Sequence, residues 1–275
     1  MCRTQIPDAQ WCVMWEIIRR SARIWKSHEA RERAFVEQIW WAVRTGVPWA
    51  EIPSQHGRAL RRRCERWQTN GVWAALFEAS IPATPADGMV MVDSTTLKAH
   101  RLASGARGTA GDPGAQMLGR SRGGLCTKLH AATDAAGRFL ALCLSPGQAG
   151  DAPRFMPLLR EVTERCQDVS CVLGDRAYSS RQNRAGCTEL HIEAVIPPRA
   201  NEAVQAGYDR EKYKERHAIE NAFAPLKDAK RIALRCDKKA CVFLGIVQLA
   251  ACLHNLRTTE RIDKARDKPN FGHRP

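Results

Sequence analysis

Tyr213, Arg216, Glu220 and Lys227 lie in the segment YKERHAIENAFAPLK, residues 213–227. At about 100° per residue, the last three fall about 60°, 20° and 40° to one side of Tyr213, so a helix here gathers all four on one polar stripe. Ile219, Ala222, Phe223 and Leu226 form the adjoining apolar face. A half-buried helix that carries one carboxylate between two cations and a phenol suits work on phosphate. The cations and the phenol can hold phosphate oxygens, and the carboxylate can take a hard cation. Arg216 and Glu220, four residues apart, also fit a plain surface ion pair.

Two more acids close apolar runs: Asp93 in MVMVD (89–93) and Asp175 in VSCVLGD (169–175). In an open α/β sheet, adjacent parallel strands deliver their C-terminal residues to one crevice. A helix packed across that sheet would bring Glu220 to the same place. Three converging carboxylates repel one another and raise their pKa values, and two divalent cations relieve that repulsion. Oxygen ligands suit Mg²⁺, and two ions about 3.5–4 Å apart stabilise the attacking and leaving oxygens of a phosphoryl displacement. An aspartate after a strand is also an ordinary turn residue, so the weight rests on the conjunction of these features.

The surrounding pattern predicts elements able to position them. Residues 1–80 read as helices: Trp11, Trp15, Ile18, Ala22 and Trp25 make one stripe, and Phe35, Ile39 and Val43 another. A third helix spans 57–71 and a fourth 72–80, and IPATPADG (81–88) reads as a linker. Strands follow at 89–93, 124–134, 138–145, 169–175 and 192–197, the second and third joined as a hairpin through DAAGR. A helix over 150–166 opens with an aspartate cap and a proline in its first turn. A short helix covers SSRQNRAGCTEL, and 211–257 is helical with one break. The Gly- and Arg-rich stretch 103–124 reads as a basic loop outside the fold elements.

Charge points to a polyanionic partner. The 275 residues carry 43 Lys and Arg against 29 Asp and Glu, a net charge of +14, which suits nucleic acid or an acidic membrane surface. In the third helix Leu60, Cys64 and Trp67 make a thin apolar seam, while Arg58, Arg61, Arg62, Arg63 and Arg66 crowd the remainder, as in a helix-turn-helix-like DNA reader. Arg120, Arg122 and Lys128 in GRSRGGLCTK are candidates to line a DNA channel. The N-terminus lacks the pattern of a signal peptide, and the apolar run 240–253 is shorter than a bilayer span. A cytoplasmic protein is expected. The 11 cysteines include no CxxC pair and read as reduced, small apolar residues.

Tyr213, Arg216, Glu220 and Lys227 fit Y-x2-R-x3-E-x6-K, and with this the sequence resembles the DDE transposases of bacterial insertion sequences. MVDSTTLKAH, GRSRGGLCTKLHAATDAAGR, LSPGQAGD, GDRAYSS, EAVIPPRAN and RIALRCDK resemble that family in the same order, and GVPWAEIP and GVWAALFEA resemble its helical N-terminal region. The resemblance spans about residues 45–257. It implies a ribonuclease H-like mixed sheet flanked by helices, preceded by a small all-α domain. The expected divisions are a DNA-binding domain at 1–85, a catalytic domain at 86–258 and a basic tail at 259–275. It further implies that Asp93, Asp175 and Glu220 bind two Mg²⁺ ions, with Mn²⁺ as the substitute. Implied partners are double-stranded DNA, as terminal inverted repeats and target, and further copies of the chain, in a homodimer or higher multimer. The setting implied is the bacterial nucleoid, with no membrane. Two departures bear on activity. Pro225 inside the stripe-bearing helix removes a backbone hydrogen bond, and unless the helix kinks there Lys227 loses its phase relative to Glu220. This favours a decayed copy that only binds DNA, and the intact triad argues against it. Ala177, where glycine is typical, would matter if the turn after Asp175 needed positive φ.

Overall fold

A computed structural model describes residues 5–21, 28–52, 57–105, 116–200 and 207–267. Ala22 and Trp25 of the first stripe, residues 106–115 of the basic loop and the last part of the expected tail lie outside the described residues.

Four helices come first: α1 (Asp8–Arg20), α2 (Glu29–Thr45), α3 (Gly57–Thr69) and α4 (Val72–Ala79). Their stripes face inward, with Trp11, Ile18, Phe35, Ile39, Val43, Cys64 and Trp67 buried. The Trp67 ring lies 4.8 Å from Phe35 and 4.9 Å from Trp73, centroid to centroid. Burying side chains of this size stabilises by roughly 1.5–3 kcal/mol each. Arg63 belongs to this core rather than to the basic face: its guanidinium sits 4.0 Å from the Phe35 centroid and pairs with Glu32.

The sheet follows. β1 (Met89–Ala99) pairs antiparallel with β3 (Gly124–Asp134) and parallel with β5 (Cys171–Gly174), and β5 pairs parallel with β6 (Glu193–Val195). β2 (Gly119–Ser121) and β4 (Phe139–Pro146) both pair with β3, completing its outer edge. Residues 101–103 form a 3₁₀ turn and 119–121 a strand, so the basic loop expected at 103–124 contributes a strand to the sheet. Helices α5 (Ala152–Arg165) and α6 (Arg181–Glu189) flank β5, and α7 (Arg210–Lys214), α8 (His217–Lys227) and α9 (Lys230–Ala233) follow β6. The short β7 (Leu234–Arg235) pairs with the far end of β1, and α10 (Ala240–Arg266) closes the fold. The mixed sheet between helical layers is the ribonuclease H-like fold expected from the sequence.

Alternation along the strands divides the core. Val90, Val92 and Val172 face α5, where Phe155, Leu158, Leu159 and Val162 are buried. Met91, Leu129, Leu173 and Val195 face the other way, into a cluster shared with α8, α10 and α1–α4. The N-terminal helices thus share one apolar cluster with the sheet, and α10 runs through the division expected at 258. By length and composition α10 could cross a membrane, but 61% of its most apolar window is buried in the fold. Asn255 fixes it to β4, accepting from the Phe139 amide at 2.7 Å and donating to the Phe139 carbonyl at 2.8 Å. The ten described cysteines are unpaired, and burial raises the Cys64 and Cys252 thiols to about 12.

Candidate active site

Asp93 lies inside β1 rather than at its end, because the strand continues through Ser94–Ala99 on its pairing with β3. The parallel pairing with β5, however, stops at Val92↔Gly174. Asp93 and Asp175 are therefore the next residues on two neighbouring strands, at the point where the sheet opens. The Asp93 Oδ1 accepts from the Ser94 amide at 2.8 Å, and the Asp175 Oδ1 accepts from the Ala177 amide at 2.8 Å. The latter bond caps the 3₁₀ turn Arg176–Tyr178, and Ala177 is not among the residues with positive φ, so glycine is not required there.

The segment 213–227 is two helices, not one. α7 ends at Lys214, and i→i+3 bonds from the Glu215, Arg216 and Ala218 amides turn the chain before α8 begins. Tyr213 is thus on the first helix, Glu220 and Lys227 on the second, and Arg216 at the joint. Arg216 Nη1 donates to Asp93 Oδ2 at 2.8 Å, and its Nη2 donates to Glu220 Oε1. The guanidinium carbon lies 5.9 Å from the Tyr213 ring centroid. Arg216 therefore links Glu220 to Asp93, a contact that helical spacing could not reveal. α8 passes through Pro225 to Lys227, and the Asp228 amide still reaches the Ala224 carbonyl at 3.1 Å. The exposed position lets the helix tolerate the missing N–H of Pro225. Glu220 and Lys227 keep their two-turn relationship within α8. Lys227 is exposed and makes no ion pair among the described residues.

Burial raises the Asp93 carboxyl above its ordinary range; Asp175 pushes the same way, against the Ser94 amide and Arg216. Burial also raises the Tyr178 phenol, with Asp93, Asp151 and Asp175 adding to the effect. Asp151 is therefore a further acid near the crevice. The sequence reads it as a helix cap, and it does sit at the N-cap position of α5, but its side chain makes no capping bond. Instead its Oδ1 accepts from Lys128 Nζ at 2.8 Å, and the Ala149 carbonyl accepts from the same amine at 2.8 Å. Lys128 is thereby tied down, unlike the open channel cation its type suggested.

The other basic candidates stand outside this cluster. Arg120 and Arg122 are exposed on β2 and at the turn of the β2–β3 hairpin. Arg58, Arg61 and Arg62 are exposed on α3, with Arg61 3.4 Å from Glu65. Arg61 also lines a cleft of about 640 Å³ with Trp49, Leu102, Lys238 and Lys239. Arg231 and Arg235, which sequence reading left unassigned, are buried: Arg231 pairs with Asp237 at 2.9 Å, and Arg235 donates to Thr127 Oγ1 at 2.7 Å.

Asp93 and Asp175 offer oxygen ligands on adjacent strands, and ionised Asp93 stands in the buried, mutually repelling setting that a divalent cation relieves. The acids thus fit Mg²⁺ in ligand type and charge. Among the described residues no three acids, histidines or cysteines are closed around a single ion position, and Arg216 occupies the contact between Asp93 and Glu220.

Comparison with known sequences and structures identifies a family. A family described as Transposase DDE domain matches residues 85–256, and one described as a transposase of the IS4/5 family matches residues 6–77. The chain is 38% identical over 134 residues to a Brucella ovis protein named as a transposase for insertion sequence element IS6501, covering 48% of this chain and 100% of that protein. It is 28% identical over 146 residues to one from Burkholderia cepacia named for IS402, covering 50% of this chain and 67% of that protein. The fold is similar to that of piggyBac transposase in a synaptic complex with hairpin DNA, with a TM-score of 0.52 at 9% identity, over 97% of this chain and 75% of that one.

Proposed function

Because the chain belongs to the family of DDE transposases, we propose that it binds the terminal inverted repeats of a bacterial insertion sequence and moves that element. It hydrolyses a DNA strand at each element end, releasing a 3′-hydroxyl, and that hydroxyl then displaces a 3′-oxygen in target DNA. In the first step water replaces the 3′-oxygen and one phosphodiester is lost as a 5′-phosphate. In the second one phosphodiester bond forms as another breaks, so neither step needs an external energy source. The observation that carries this reading is the placement of Asp93 and Asp175 on adjacent strands, with Glu220 joined to Asp93 through Arg216.

Asp93, Asp175 and Glu220 would hold Mg²⁺, with Mn²⁺ as the substitute. The bound ions would supply Lewis-acid stabilisation of the oxygens that gain charge. Tyr213, Arg216 and Lys227 orient the phosphate on one side of the acids. Arg58, Arg61 and Arg62 hold the repeat DNA, and Arg120 and Arg122 contact its backbone from the hairpin. Lys128, held by Asp151 and the Ala149 carbonyl, is left out of the DNA contacts. The cleft lined by Arg61, Lys238 and Lys239 extends the basic surface towards the N-terminal helices. Two or more copies act together, because two element ends must be brought to one target.

The continuity of α8 through Pro225 supports a cutting enzyme over a copy that binds DNA without cutting it. Strand transfer separates a transposase from a nuclease built on the same fold. A pre-cut oligonucleotide ending in the repeat's 3′-hydroxyl is incubated with a supercoiled plasmid and Mg²⁺. Covalent joining into the plasmid is expected. Nicking of the plasmid without joining would identify a nuclease instead.

A further inference from the structure

Arg216 is used differently in this structure from the way a phosphate-binding arginine would be used. Both of its terminal nitrogens are committed to carboxylates: Nη1 to Asp93 at 2.8 Å and Nη2 to Glu220. Each Asp93 oxygen already has a partner, Oδ1 the Ser94 amide and Oδ2 Arg216. Glu220 belongs to α8, and its contact with Asp93 on β1 runs through the guanidinium. The Arg216 side chain is itself only 19% exposed, against 56% for that of Glu220.

The geometry points to Arg216 as a latch between the acids. In the metal-free protein it supplies the positive charge that holds Asp93 and Glu220 together, and it competes with a divalent cation for the same two oxygens. When a cation is taken up, Arg216 gives up Asp93 and Glu220, and its fork is then free for a phosphate. Metal loading and phosphate contact are thereby coupled in one residue, and the acids are kept from taking up metal firmly before DNA arrives. The position of Arg216 suits such movement. It lies at the joint between α7 and α8, where i→i+3 bonds replace the regular helix, so its side chain can swing without disturbing either helix. The latch rests on the reading of Asp93, Asp175 and Glu220 as metal ligands, and its test separates the two claims.

The test is Mn²⁺ binding to the full chain without DNA, followed by electron paramagnetic resonance, for the wild type and the Arg216→Gln, Arg216→Lys and Asp93→Asn variants. Removing the competing guanidinium should tighten Mn²⁺ binding at least about tenfold in Arg216→Gln, the factor corresponding to one charge-assisted hydrogen bond. Arg216→Lys, which keeps a charge but loses the fork, should tighten it by less, and Asp93→Asn should abolish it. The thermal midpoint without metal should fall in Arg216→Gln, and its rise on adding Mn²⁺ should be larger than in the wild type. A purely structural role for Arg216 would not raise metal affinity. Equal or weaker Mn²⁺ binding in Arg216→Gln, with binding still lost in Asp93→Asn, overturns the latch and leaves the acid assignment standing. If Arg216→Gln does not fold, the same comparison is read from Arg216→Lys. Absence of Mn²⁺ binding in both the wild type and the Arg216 variants overturns the acid assignment, and the latch with it.

Discussion

Asp93 and Asp175 are the first residues beyond the last parallel pair of β1 and β5, Val92↔Gly174. Extended by one step, that register sets the two carboxylates side by side, although one lies in the middle of a strand and the other just after one. Neither could move along its strand without turning its side chain to the opposite face. The pairing of two strands thus fixes the centre of the proposed chemistry.

Asp93→Asn and Asp175→Asn should each lower strand cleavage by on the order of 10³-fold, as loss of a group that stabilises transition-state charge does. Repeat binding, measured by fluorescence anisotropy, should stay within about twofold, because the arginines assigned to the repeats, Arg58, Arg61 and Arg62, lie on α3. A parallel loss of DNA affinity would move these aspartates from chemistry to binding.

Pro225→Ala restores a backbone N–H in the last turns of an exposed stretch of α8. It should raise stability in urea unfolding by up to about 3 kcal/mol, the cost of an interior proline. Cleavage should be unchanged. If cleavage instead rose strongly, the proline would be disturbing the placement of Lys227 after all.

Arg235 is fully buried and donates to the Asp237 and Lys238 carbonyls and to Thr127 Oγ1. Arg235→Ala leaves these acceptors unpaired inside the fold. A loss of about 2–5 kcal/mol is expected in chemical denaturation, from buried acceptors left unsatisfied and the packing of a large side chain removed. A change under 1 kcal/mol, on the order of a single ordinary hydrogen bond, would contradict that role.

His130 gives the protein a pH dependence of known sign. It is fully buried, its Nε2 is 2.7 Å from Ser145 Oγ, and Asp151 lies 3.8 Å from Nδ1. Burial pushes its pKa down from 6.5 to about 4; Lys128 and Arg154 push the same way, and Asp151 opposes them. The folded value lies below the unfolded one, so the contribution is complete above 6.5 and is lost as pH falls towards 4. The thermal midpoint should decline through that window, and His130→Asn should flatten the decline. An equally steep decline in the variant would assign it to other groups.

Lys238 and Lys239 line the cleft beside Arg61, and Lys239 is 3.4 Å from Glu65. Changing both lysines to alanine should weaken DNA binding and reduce the slope of log affinity against log salt by about 2. An unchanged slope would take this cleft off the DNA path.

Much of this arrangement was legible in the sequence, for physical reasons. Apolar runs bounded by turn residues marked β3, β4 and β5, because buried strands need such runs on both faces. The continuation of β1 past Asp93 was hidden by Ser94, Thr95 and Thr96, polar residues that keep strand geometry only because β3 pairs with them. The break at Glu215–Arg216 was hidden because three-residue spacing fits a tight turn as well as a helix. The tie between Lys128 and Asp151 joins residues 23 positions apart, and residue type alone cannot tell a held lysine from a free one. Arginine reads as surface in a sequence, which hides Arg231 and Arg235 until their buried acceptors are seen.

The central claim is that Asp93, Asp175 and Glu220 form one metal-dependent centre that cuts DNA at the element's ends. Its most direct test is cleavage of a plasmid carrying the DNA that flanks this coding sequence, with Mg²⁺ or EDTA, for the wild type beside Glu220→Gln. The account predicts cuts at the flanking repeats only with Mg²⁺, and none in Glu220→Gln despite intact repeat binding. Cuts that persist in EDTA or in Glu220→Gln would contradict it.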